Sequence, residues 1–401
     1  MSEIVLVNMS GPDREGLVAS VMSILAQYDV EVLDIGEAVI HRTITFGVLI
    51  QITDREHRSP VVKDLLFRAH ELGLSARFTP VSWEEYNRWV GRKGKSYYTI
   101  SILGRRVTAA HLAEIAAVAA ENRLNIDRIT RLSRRGHPSE LPRACVELSV
   151  SGEPADPAAI QGAFMEIARK TGVDVAFQKE GLYRRHRRLV VFDMDSTLIK
   201  QEVIDELARE AGVGDRVAAV TEAAMRGEMD FRESFRQRLG LLAGADASIL
   251  ERVAARLELT EGAERLFANL KALGLKTAIL TGGFDHFARR LQECLEVDYV
   301  HANRLEVRDG RLTGRVVGEV IDGTRKAELL EEIAAREGIR LEQVIAVGDG
   351  ANDLPMLQRA GLGIAFHAKP VVRESAGHSI STLGLDSILY LLGLRDHDAL
   401  S

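Results

Sequence analysis

Several features that mark specialised classes of protein are scarce in this sequence. Among its 401 residues there are only two cysteines and nine prolines, and aromatic residues make up 5%. Cys145 and Cys294 lie far apart in patterned segments, so we expect no disulfide framework and a reducing compartment. The formal net charge is −6, which provides no basic excess of the kind that attracts nucleic acid.

Long apolar segments are also missing. No run approaches the roughly 18 apolar residues that a membrane-spanning helix needs. The N-terminus, MSEIVLVNMS, carries an acid and is too short for the apolar region of a signal peptide. We therefore expect a cytoplasmic protein with no membrane and no nucleic-acid partner. A basic run at residues 184–188 is interpreted as a solvated linker, with a rim that attracts phosphate as the alternative.

What the sequence does contain is a repeat in its first half. Segments beginning at Ile4 and Tyr97 each have the pattern of a strand, a glycine-containing turn, an amphipathic helix and a second strand. Further strand, helix and strand patterns follow in each copy. The order βαββαβ, found twice, predicts two ferredoxin-like α+β domains at residues 1–82 and 96–180. The polar and aromatic stretch from Trp83 to Lys95 is predicted to connect them.

The second half has a different pattern. From residue 186 onward, continuous apolar runs alternate with helical segments. This alternation predicts an α/β fold over residues 186–401, with a doubly wound, Rossmann-like parallel sheet covered on both faces. Between the first two strands lie roughly eighty residues of helical pattern, too many for one crossover, so we expect a helical cap at about 200–273. A β-hairpin is predicted to turn at Asp309 and Gly310.

Polar residues follow three of the predicted core strands. Ligands of open α/β sheets bind beyond the carboxyl ends of the strands, so we expect these residues to share a site. Carboxylates at the end of a buried strand need neutralisation, and a hard divalent cation bound through oxygen would provide it. The residues concerned are Asp193, Asp195, Thr281, Gly282, Gly283, Gly348, Asp349, Gly350, Asn352 and Asp353. Lys326, which begins the predicted helix just before the third of these strands, is expected to join them.

This set of groups suits phosphoryl transfer. A cation neutralises phosphate oxygens. One carboxylate can attack phosphorus and form an aspartyl-phosphate, and a second, kept protonated, can give its proton to the leaving alkoxide. A hydroxyl, backbone N–H groups and a lysine can hold the remaining oxygens, while glycines let the backbone approach closely.

The motifs DMDST, TGG, the later lysine and GDGAND resemble, in this order, the four motifs of the haloacid dehalogenase superfamily of phosphatases. The resemblance covers about residues 189–363. It implies that Asp193 is the nucleophile and Asp195 the general acid/base. It also implies Mg²⁺ held by Asp193, the backbone carbonyl of Asp195 and Asp349.

The same resemblance implies how the phosphoryl group is held. It assigns this role to Thr281, Gly282, Gly283 and Lys326. Lys326 would also restrain Asp193, and Asp353 would orient Lys326 or a water bound to the metal.

A finer resemblance is to the phosphoserine phosphatases within that superfamily, carried by DMDSTLIKQEVIDELAREAGV and AAMRGEMDFRESFRQRL. It implies that Glu202 binds the substrate ammonium and Arg238 its carboxylate, charges that complement an amino-acid phosphate. These phosphatases commonly have Ser-Gly-Gly where this chain has Thr281-Gly282-Gly283, and threonine keeps the hydroxyl. The remaining implied substrate contacts are Met225, Phe231 and Asn352, with a plain role in the cap core as the alternative for Met225 and Phe231.

The two βαββαβ units resemble ACT domains, which bind small amino acids and associate through their sheets or helices. The first copy has the loop SGPDREG, with Gly11, Asp13 and Gly16, where an effector carboxylate could bind. The second has LGRRVTA, with Gly104 but no acid. An ordinary turn is the alternative for these residues. We hypothesise that these units sense serine, because an amino-acid-binding pattern is joined to an enzyme that would produce an amino acid. The exposed sheets and helices of such units also favour a symmetric homodimer.

Together these inferences predict a Mg²⁺-dependent phosphatase that hydrolyses O-phospho-L-serine through an aspartyl-phosphate, as the last step of serine biosynthesis, under regulation by serine. Two alternatives stay open. A phosphatase of the same fold could act on another small phosphate or on phosphoproteins. An amino-acid sensor with a dead phosphatase domain would bind serine without releasing phosphate.

Overall fold

The computed structural model describes residues 3–28, 30–53, 55–91, 96–134, 142–226 and 228–400. The chain divides into two compact units, Met1–Lys95 and Ser96–Ser401, and each is described by itself. No helix in these described ranges is both long and apolar enough to cross a membrane.

The first unit is an antiparallel four-stranded sheet with helices packed on one face. The sheet order is β2-β3-β1-β4. Along β3, Ile44, Phe46 and Val48 are buried and alternate with more exposed residues, and they pack with Val21 and Leu65 of the helices. This period of two is typical of a sheet with one buried face. The elements are β1 (Glu3–Pro12), α1 (Leu17–Leu25), β2 (Glu31–Ile40), β3 (Thr43–Ile52), α2 (Arg55–Glu71), β4 (Ser75–Val81) and α3 (Trp83–Val90).

Helix α3 occupies the segment that was expected to be only a connector. Its N-terminus is a capping box: the Ser82 hydroxyl accepts a hydrogen bond from the Glu85 N–H at 3.2 Å, and the Glu85 carboxylate accepts one from the Ser82 N–H at 2.9 Å. Ser-x-x-Glu is a sequence signal for a helix start, so the helix was detectable from the sequence.

The second unit begins with the second βαββαβ group. Its sheet order is β6-β7-β5-β8. One face packs against the helices through Ile100, Ile115 and Phe164. The other face contributes Leu103 and Cys145 to the core of the α/β part that follows, so strands β5, β7 and β8 are covered on both faces, whereas the edge strand β6 is largely exposed. Its elements are β5 (Ser96–Gly104), α4 (Ala109–Glu121), β6 (Asn125–Arg131), β7 (Ala144–Gly152), α5 (Pro157–Thr171) and β8 (Asp174–Lys179).

The α/β part contains a seven-stranded sheet in the order β12-β11-β10-β9-β13-β14-β15. All neighbours pair in parallel except β11 and β12, which form the predicted hairpin. The α/β class and the doubly wound parallel core predicted from the sequence are confirmed. The elements are α6 (Leu182–Arg185), β9 (Leu189–Phe192), α7 (Val203–Glu210), α8 (Gly214–Met225), α9 (Phe231–Gly240), α10 (Ile249–Ala254), α11 (Ala263–Ala272), β10 (Lys276–Phe284), α12 (Asp285–Leu295), β11 (Tyr299–Arg308), β12 (Arg311–Val317), α13 (Gly323–Arg336), β13 (Val344–Gly348), α14 (Leu354–Arg359), β14 (Leu362–Phe366), α15 (Pro370–Ala376), β15 (Ser379–Ile380) and α16 (Ile388–Leu391).

Helices α7 to α10 form a cap inserted after β9. The chain leaves and returns side by side, since Ile199 and Leu259 form an isolated antiparallel bridge. We call these two crossing segments, residues 198–200 and 258–262, the cap hinge. Helix α11 follows the hinge and packs on the core sheet, where the Phe267 ring lies 4.9 Å from that of Phe192. The insertion is therefore shorter than the expected 200–273, because periodicity alone does not separate a cap helix from a crossover helix.

Candidate active site

The carboxyl ends of β9, β10 and β13 meet at one edge of the sheet. Strand β9 is central because all four of its residues are apolar and fully buried, and it pairs with β10 on one side and β13 on the other. The Asp193 N–H continues this pairing by donating to the Val347 carbonyl at 2.9 Å. The first motif is therefore anchored in the middle of the sheet.

Asp193 and Asp353 share one buried lysine. Lys326 Nζ lies 2.8 Å from Asp193 Oδ1 and 2.7 Å from Asp353 Oδ1, and their exposed fractions are 0%, 5% and 0% respectively. Burial by itself would lower the pKa of Lys326, but attraction to the two carboxylates outweighs it and raises that pKa. The lysine therefore stays protonated and fixes the Asp193 side chain.

Asp349 joins this pair of carboxylates. Oxygen atoms of Asp193, Asp349 and Asp353 lie within 4.8 Å of one another. Burial, followed by the charges of Asp193 and Asp353, raises the pKa of Asp349 to about 8. Burial and Asp193 also raise the pKa of Asp353 to about 7, against the opposing charge of Lys326. One lysine does not neutralise three carboxylates, so the donor set fits a divalent cation bound through oxygen.

Thr197 supports this cluster and was not among the residues singled out from the sequence. It is fully buried, and its hydroxyl donates to Asp349 Oδ1 at 3.3 Å. The contact links the turn after β9 to the end of β13. Its only sequence signal is a hydroxyl residue inside the DMDST motif.

Asp195 has the surroundings of a carboxyl group that keeps its proton. Burial raises its pKa most, and the charges of Glu202 and Asp193 raise it further. Its Oδ1 accepts a hydrogen bond from the Val203 N–H at 3.3 Å. A Cβ at position 283 would lie 2.7 Å from Asp195 Oδ2, so Gly283 is required for this packing.

The TGG turn lies beside these carboxylates. Thr281 is 1% exposed, and its hydroxyl accepts from the Gly283 N–H at 2.9 Å. The Gly282 carbonyl accepts from the Asn303 side-chain amide at 2.9 Å, and Asn303 Oδ1 accepts from the Ile321 N–H at 2.9 Å. Buried Asn303 thus ties the turn to the segment just before α13, which carries Lys326. Sequence reasoning missed Asn303, a single amide in β11 that belongs to none of the motifs.

Glu202 and Arg238 bring opposite charges from the cap close to each other and to Asp195. Desolvation by the surrounding protein raises the pKa of Glu202, while a hydrogen bond from the Ser196 hydroxyl, at 2.8 Å, opposes that rise. Burial lowers the pKa of Arg238, despite attraction to Asp205, Glu202 and Asp195. Among the described residues, the buried Arg238 Nε has no hydrogen-bond partner. The guanidinium therefore has a free donor for an anionic group.

Comparisons with known proteins agree with this geometry. Residues 190–358 match the haloacid dehalogenase-like hydrolase family, and residues 3–79 and 96–178 match two ACT domain families. A phosphoserine phosphatase of Streptomyces coelicolor is 44% identical over 97% of this chain and 92% of its own length. The chain belongs to the phosphoserine phosphatase family.

Two further similarities cover most of the chain. A phosphoserine phosphatase of Mycobacterium tuberculosis is 41% identical over 97% of this chain and 93% of its own length. The crystal structure of a haloacid dehalogenase family hydrolase from Salmonella enterica serovar Typhi superimposes with a TM-score of 0.62 and 34% identity, over 73% of this chain and 98% of that one. The resemblance found in the motifs therefore extends to the ACT domains and the fold.

The other expected substrate residues lie at different places relative to the carboxylate cluster. Asn352 lies at the edge, with its side-chain amide 3.5 Å from Asp353 Oδ1. A Cβ on Gly350 would lie 2.2 Å from Asn352 Oδ1, which explains that glycine. The side chains of Met225 and Phe231 lie outside the described residues, although their backbones end α8 and begin α9.

The glycines expected at effector loops have packing roles in both ACT domains. A Cβ on Gly11 would lie 2.7 Å from Leu74 Cδ2, and one on Gly104 would lie 3.1 Å from Val173 Cγ1. Gly16 has a φ of 77°, a conformation that favours glycine. Asp13 is exposed and directly follows β1, at the start of the first loop.

Proposed function

We propose that this chain is a Mg²⁺-dependent phosphoserine phosphatase that hydrolyses O-phospho-L-serine through an aspartyl-phosphate on Asp193. The observation that carries the proposal is the buried contact between Asp193 and Lys326, beside a carboxyl group, Asp195, whose pKa is raised. These are the nucleophile and the proton donor that the reaction requires. Two full-length relatives named phosphoserine phosphatase support the choice of substrate.

In the first step, a carboxylate oxygen of Asp193 attacks phosphorus and the bond from phosphorus to the serine oxygen breaks. Lys326 and the Met194 N–H, which donates to Asp193 Oδ1 at 2.7 Å, hold the carboxylate in place. Asp195 gives its proton to the leaving serine oxygen, which releases serine. In the second step Asp195 takes a proton from the water that attacks the aspartyl-phosphate, and inorganic phosphate leaves.

We propose Mg²⁺ as the cofactor, held by the Asp193 and Asp349 side chains and the backbone carbonyl of Asp195. The crowded carboxylates and the raised pKa of Asp349 support this donor set. When bound, the cation would neutralise phosphate oxygens. Asp353 orients Lys326 through the 2.7 Å contact. Thr281, Gly282, Gly283 and Lys326 hold the phosphoryl oxygens.

We assign the amino-acid part of the substrate to the cap. Arg238 binds its carboxylate and Glu202 its ammonium, with Asn352 at the rim and Met225 and Phe231 closing over the serine. The buried Arg238 Nε, which has no hydrogen-bond partner within the described part of the chain, supports this assignment. We further propose serine as an effector at the ACT domains, a homodimer, a cytoplasmic location, and domain limits at 1–82, 96–180 and 186–401.

The test of the activity is phosphate release from a panel of small phosphates and one phosphoprotein, with Mg²⁺ present or chelated. We expect turnover of phosphoserine above the others, and loss of turnover without the metal. Asp193→Asn should abolish release and keep the circular dichroism spectrum unchanged. Faster turnover of another substrate would favour the alternative phosphatase, and serine binding without any release would favour the dead sensor.

The role of Arg238 has a separate test with a matched control. Arg238→Ala should lower kcat/KM for phosphoserine by about 10- to 100-fold, as expected for losing a hydrogen bond between charged groups. It should change kcat/KM for para-nitrophenyl phosphate little, because that substrate has no carboxylate. Arg236→Ala, at an exposed position of the same helix, should affect neither. Equal losses for both substrates would remove Arg238 from the substrate site.

A further inference from the structure

One end of the second ACT domain contacts the returning segment of the cap hinge. Arg105 directly follows β5 and Arg143 directly precedes β7. The neighbouring residues Gly104 and Ala144 pair across these two strands. The two arginines therefore extend from the same end of the sheet, where the loop of the expected effector site also lies.

Arg105 binds the hinge through a bidentate contact with Glu261. Its two terminal nitrogens lie 3.1 Å and 2.8 Å from the two carboxylate oxygens of Glu261. Two parallel hydrogen bonds define direction as well as distance. The Arg105 guanidinium holds the pKa of Glu261 below its usual range, so the pair stays ionised at neutral pH.

Arg143 acts on the neighbouring hinge residue through Asp386. The Arg143 guanidinium makes an ion pair with Asp386, which also pairs with Arg265 at 2.8 Å. Asp386 packs directly on Gly262, since a Cβ there would lie 2.5 Å from Asp386 Oδ1. Both arginines thus converge on Glu261 and Gly262, one by direct contact and one through a single carboxylate.

The hinge connects this anchor to the catalytic turn. Just before Glu261, the Thr260 N–H donates to the Leu198 carbonyl at 2.9 Å. Leu198 ends the turn that starts at Met194 and contains Asp195 and Thr197. A displacement of the returning segment therefore reaches the residues beside Asp349 through one backbone hydrogen bond.

With both arginines paired, the cap contacts the core. Arg232 on α9 forms an ion pair of 2.6 Å with Asp322, the residue that caps the helix carrying Lys326. We propose that Arg105 and Arg143 are positioning residues that hold the cap hinge and favour the cap closed on the core. The second ACT domain is then a fixed support of the hinge, and any ligand that moves this end of its sheet is linked to cap closure.

The expected size of the effect on cap closure follows from the solvent exposure of the Arg105–Glu261 ion pair. The Arg105 and Glu261 side chains are 34% and 49% exposed, and an ion pair at such a site changes an equilibrium by about two- to fivefold. We expect a graded shift of cap closure and no loss of catalysis. This distinguishes a positioning residue from a group that touches the substrate.

The test compares Arg105→Ala with Arg106→Ala in the full chain. Arg106 is the next residue of the same loop, is exposed, and makes no ion pair with any described residue, so its removal is the matched charge control. Hydrogen exchange without substrate should become about two- to fivefold faster in the peptides covering 198–200 and 258–262 for Arg105→Ala, and stay unchanged for Arg106→Ala. The reversed pair, Arg105→Glu with Glu261→Arg, should restore slow exchange.

Kinetics provide the second readout, which rests on the proposed phosphoserine hydrolysis. Arg105→Ala should raise KM for phosphoserine about two- to fivefold with kcat nearly unchanged, and Arg105→Lys should recover part of the loss. Equal exchange rates in the Arg105→Ala and Arg106→Ala proteins would overturn the inference. An unmodified protein that fails to release phosphate would contradict only the proposed function, because the exchange measurement needs no substrate.

Discussion

The two ACT domains share one element order but bury their sheets differently. The two domains can be aligned on their central strand pairs, β1 with β3 and β5 with β7. Gly11 pairs with Ile44 in the first domain, and Gly104 pairs with Ala144 in the second. Strands β1 and β3 of the first domain alternate between buried and more exposed residues. Strands β5, β7 and β8 of the second are buried along almost their whole length.

The neighbouring residue pair on these strands shows why the two sheets are buried differently. In the first domain it is Ser10 and Thr45, both exposed. In the second it is Leu103 and Cys145, both 0% exposed and part of the core of the α/β domain. Where the first domain has an exposed polar pair, the second has an apolar pair that the catalytic domain covers.

A third aligned position differs in the same way. Ser75 pairs with Ser10 in the first domain and is exposed. Its counterpart in the second domain is Asp174, which pairs with Leu103 and is 2% exposed. The Asp174 carboxylate accepts from the Ser381 N–H at 2.7 Å, in the segment after β15. One fold therefore serves once as a unit that leaves this end of its outer sheet face exposed and once as a wall of the catalytic domain.

The largest expected effect tests the apolar contact. Leu103→Ala should destabilise the second unit by about 2–5 kcal/mol, the cost of removing a buried leucine side chain, whereas Ser10→Ala should change stability by less than about 0.5 kcal/mol. Both tryptophans, Trp83 and Trp89, lie in α3 of the first unit. Urea unfolding followed by tryptophan fluorescence should thus stay unchanged for Leu103→Ala, while loss of activity shifts to lower urea. Equal shifts in the two signals would break the comparison.

An intermediate effect is expected at the aligned polar position. Asp174→Ala leaves the half-buried Ser381 N–H without its acceptor, which should cost about 1 kcal/mol in the free energy of unfolding of the second unit. Ser75→Ala removes an exposed hydroxyl and should be neutral within about 0.5 kcal/mol. Urea midpoints of activity loss measure both. A neutral Asp174→Ala would show that this contact contributes nothing to the docking of the second sheet.

The smallest expected effect is a pH dependence of the stability of the second unit that comes from His378. Burial lowers the pKa of His378, and Arg187 lowers it further, against a 3.1 Å hydrogen bond with the Phe177 carbonyl. In the unfolded state the pKa of a histidine is about 6.5. Neutral His378 therefore contributes its full stabilisation above that pH, and this contribution is lost as the pH falls through the lower pKa of the folded state. Each unit of the pKa difference corresponds to about 1.4 kcal/mol.

The measurement compares thermal unfolding midpoints between about pH 7.5 and 5.5. His378→Gln should flatten the decline toward acid pH, because glutamine does not gain a proton. His70→Gln, at an exposed position of the first unit, should leave the decline as it is. A decline of the same slope in the His378→Gln protein would remove His378 as its source.

Much of the catalytic site was predictable because its signals are local. Asp193, Asp195 and Asp349 lie in short motifs at strand ends, and the topology of a parallel sheet brings such ends together. Lys326 lies near the start of α13, the helix that precedes β13. Asn303 was missed because its importance comes from two backbone partners, Gly282 and Ile321, that are distant in sequence. No spacing rule relates these three positions.

The sequence by itself determined the two βαββαβ repeats, the parallel core and the identity of the groups at its strand ends. Tertiary structure alone decided that strands β5, β7 and β8 are covered on both faces, that the chain returns from the cap beside Ile199, and that Arg105 contacts the hinge directly while Arg143 reaches it through Asp386. The physical reason is that periodicity and motif spacing describe contacts between residues near in sequence. Which surface covers a strand's second face depends on packing between segments far apart in the chain.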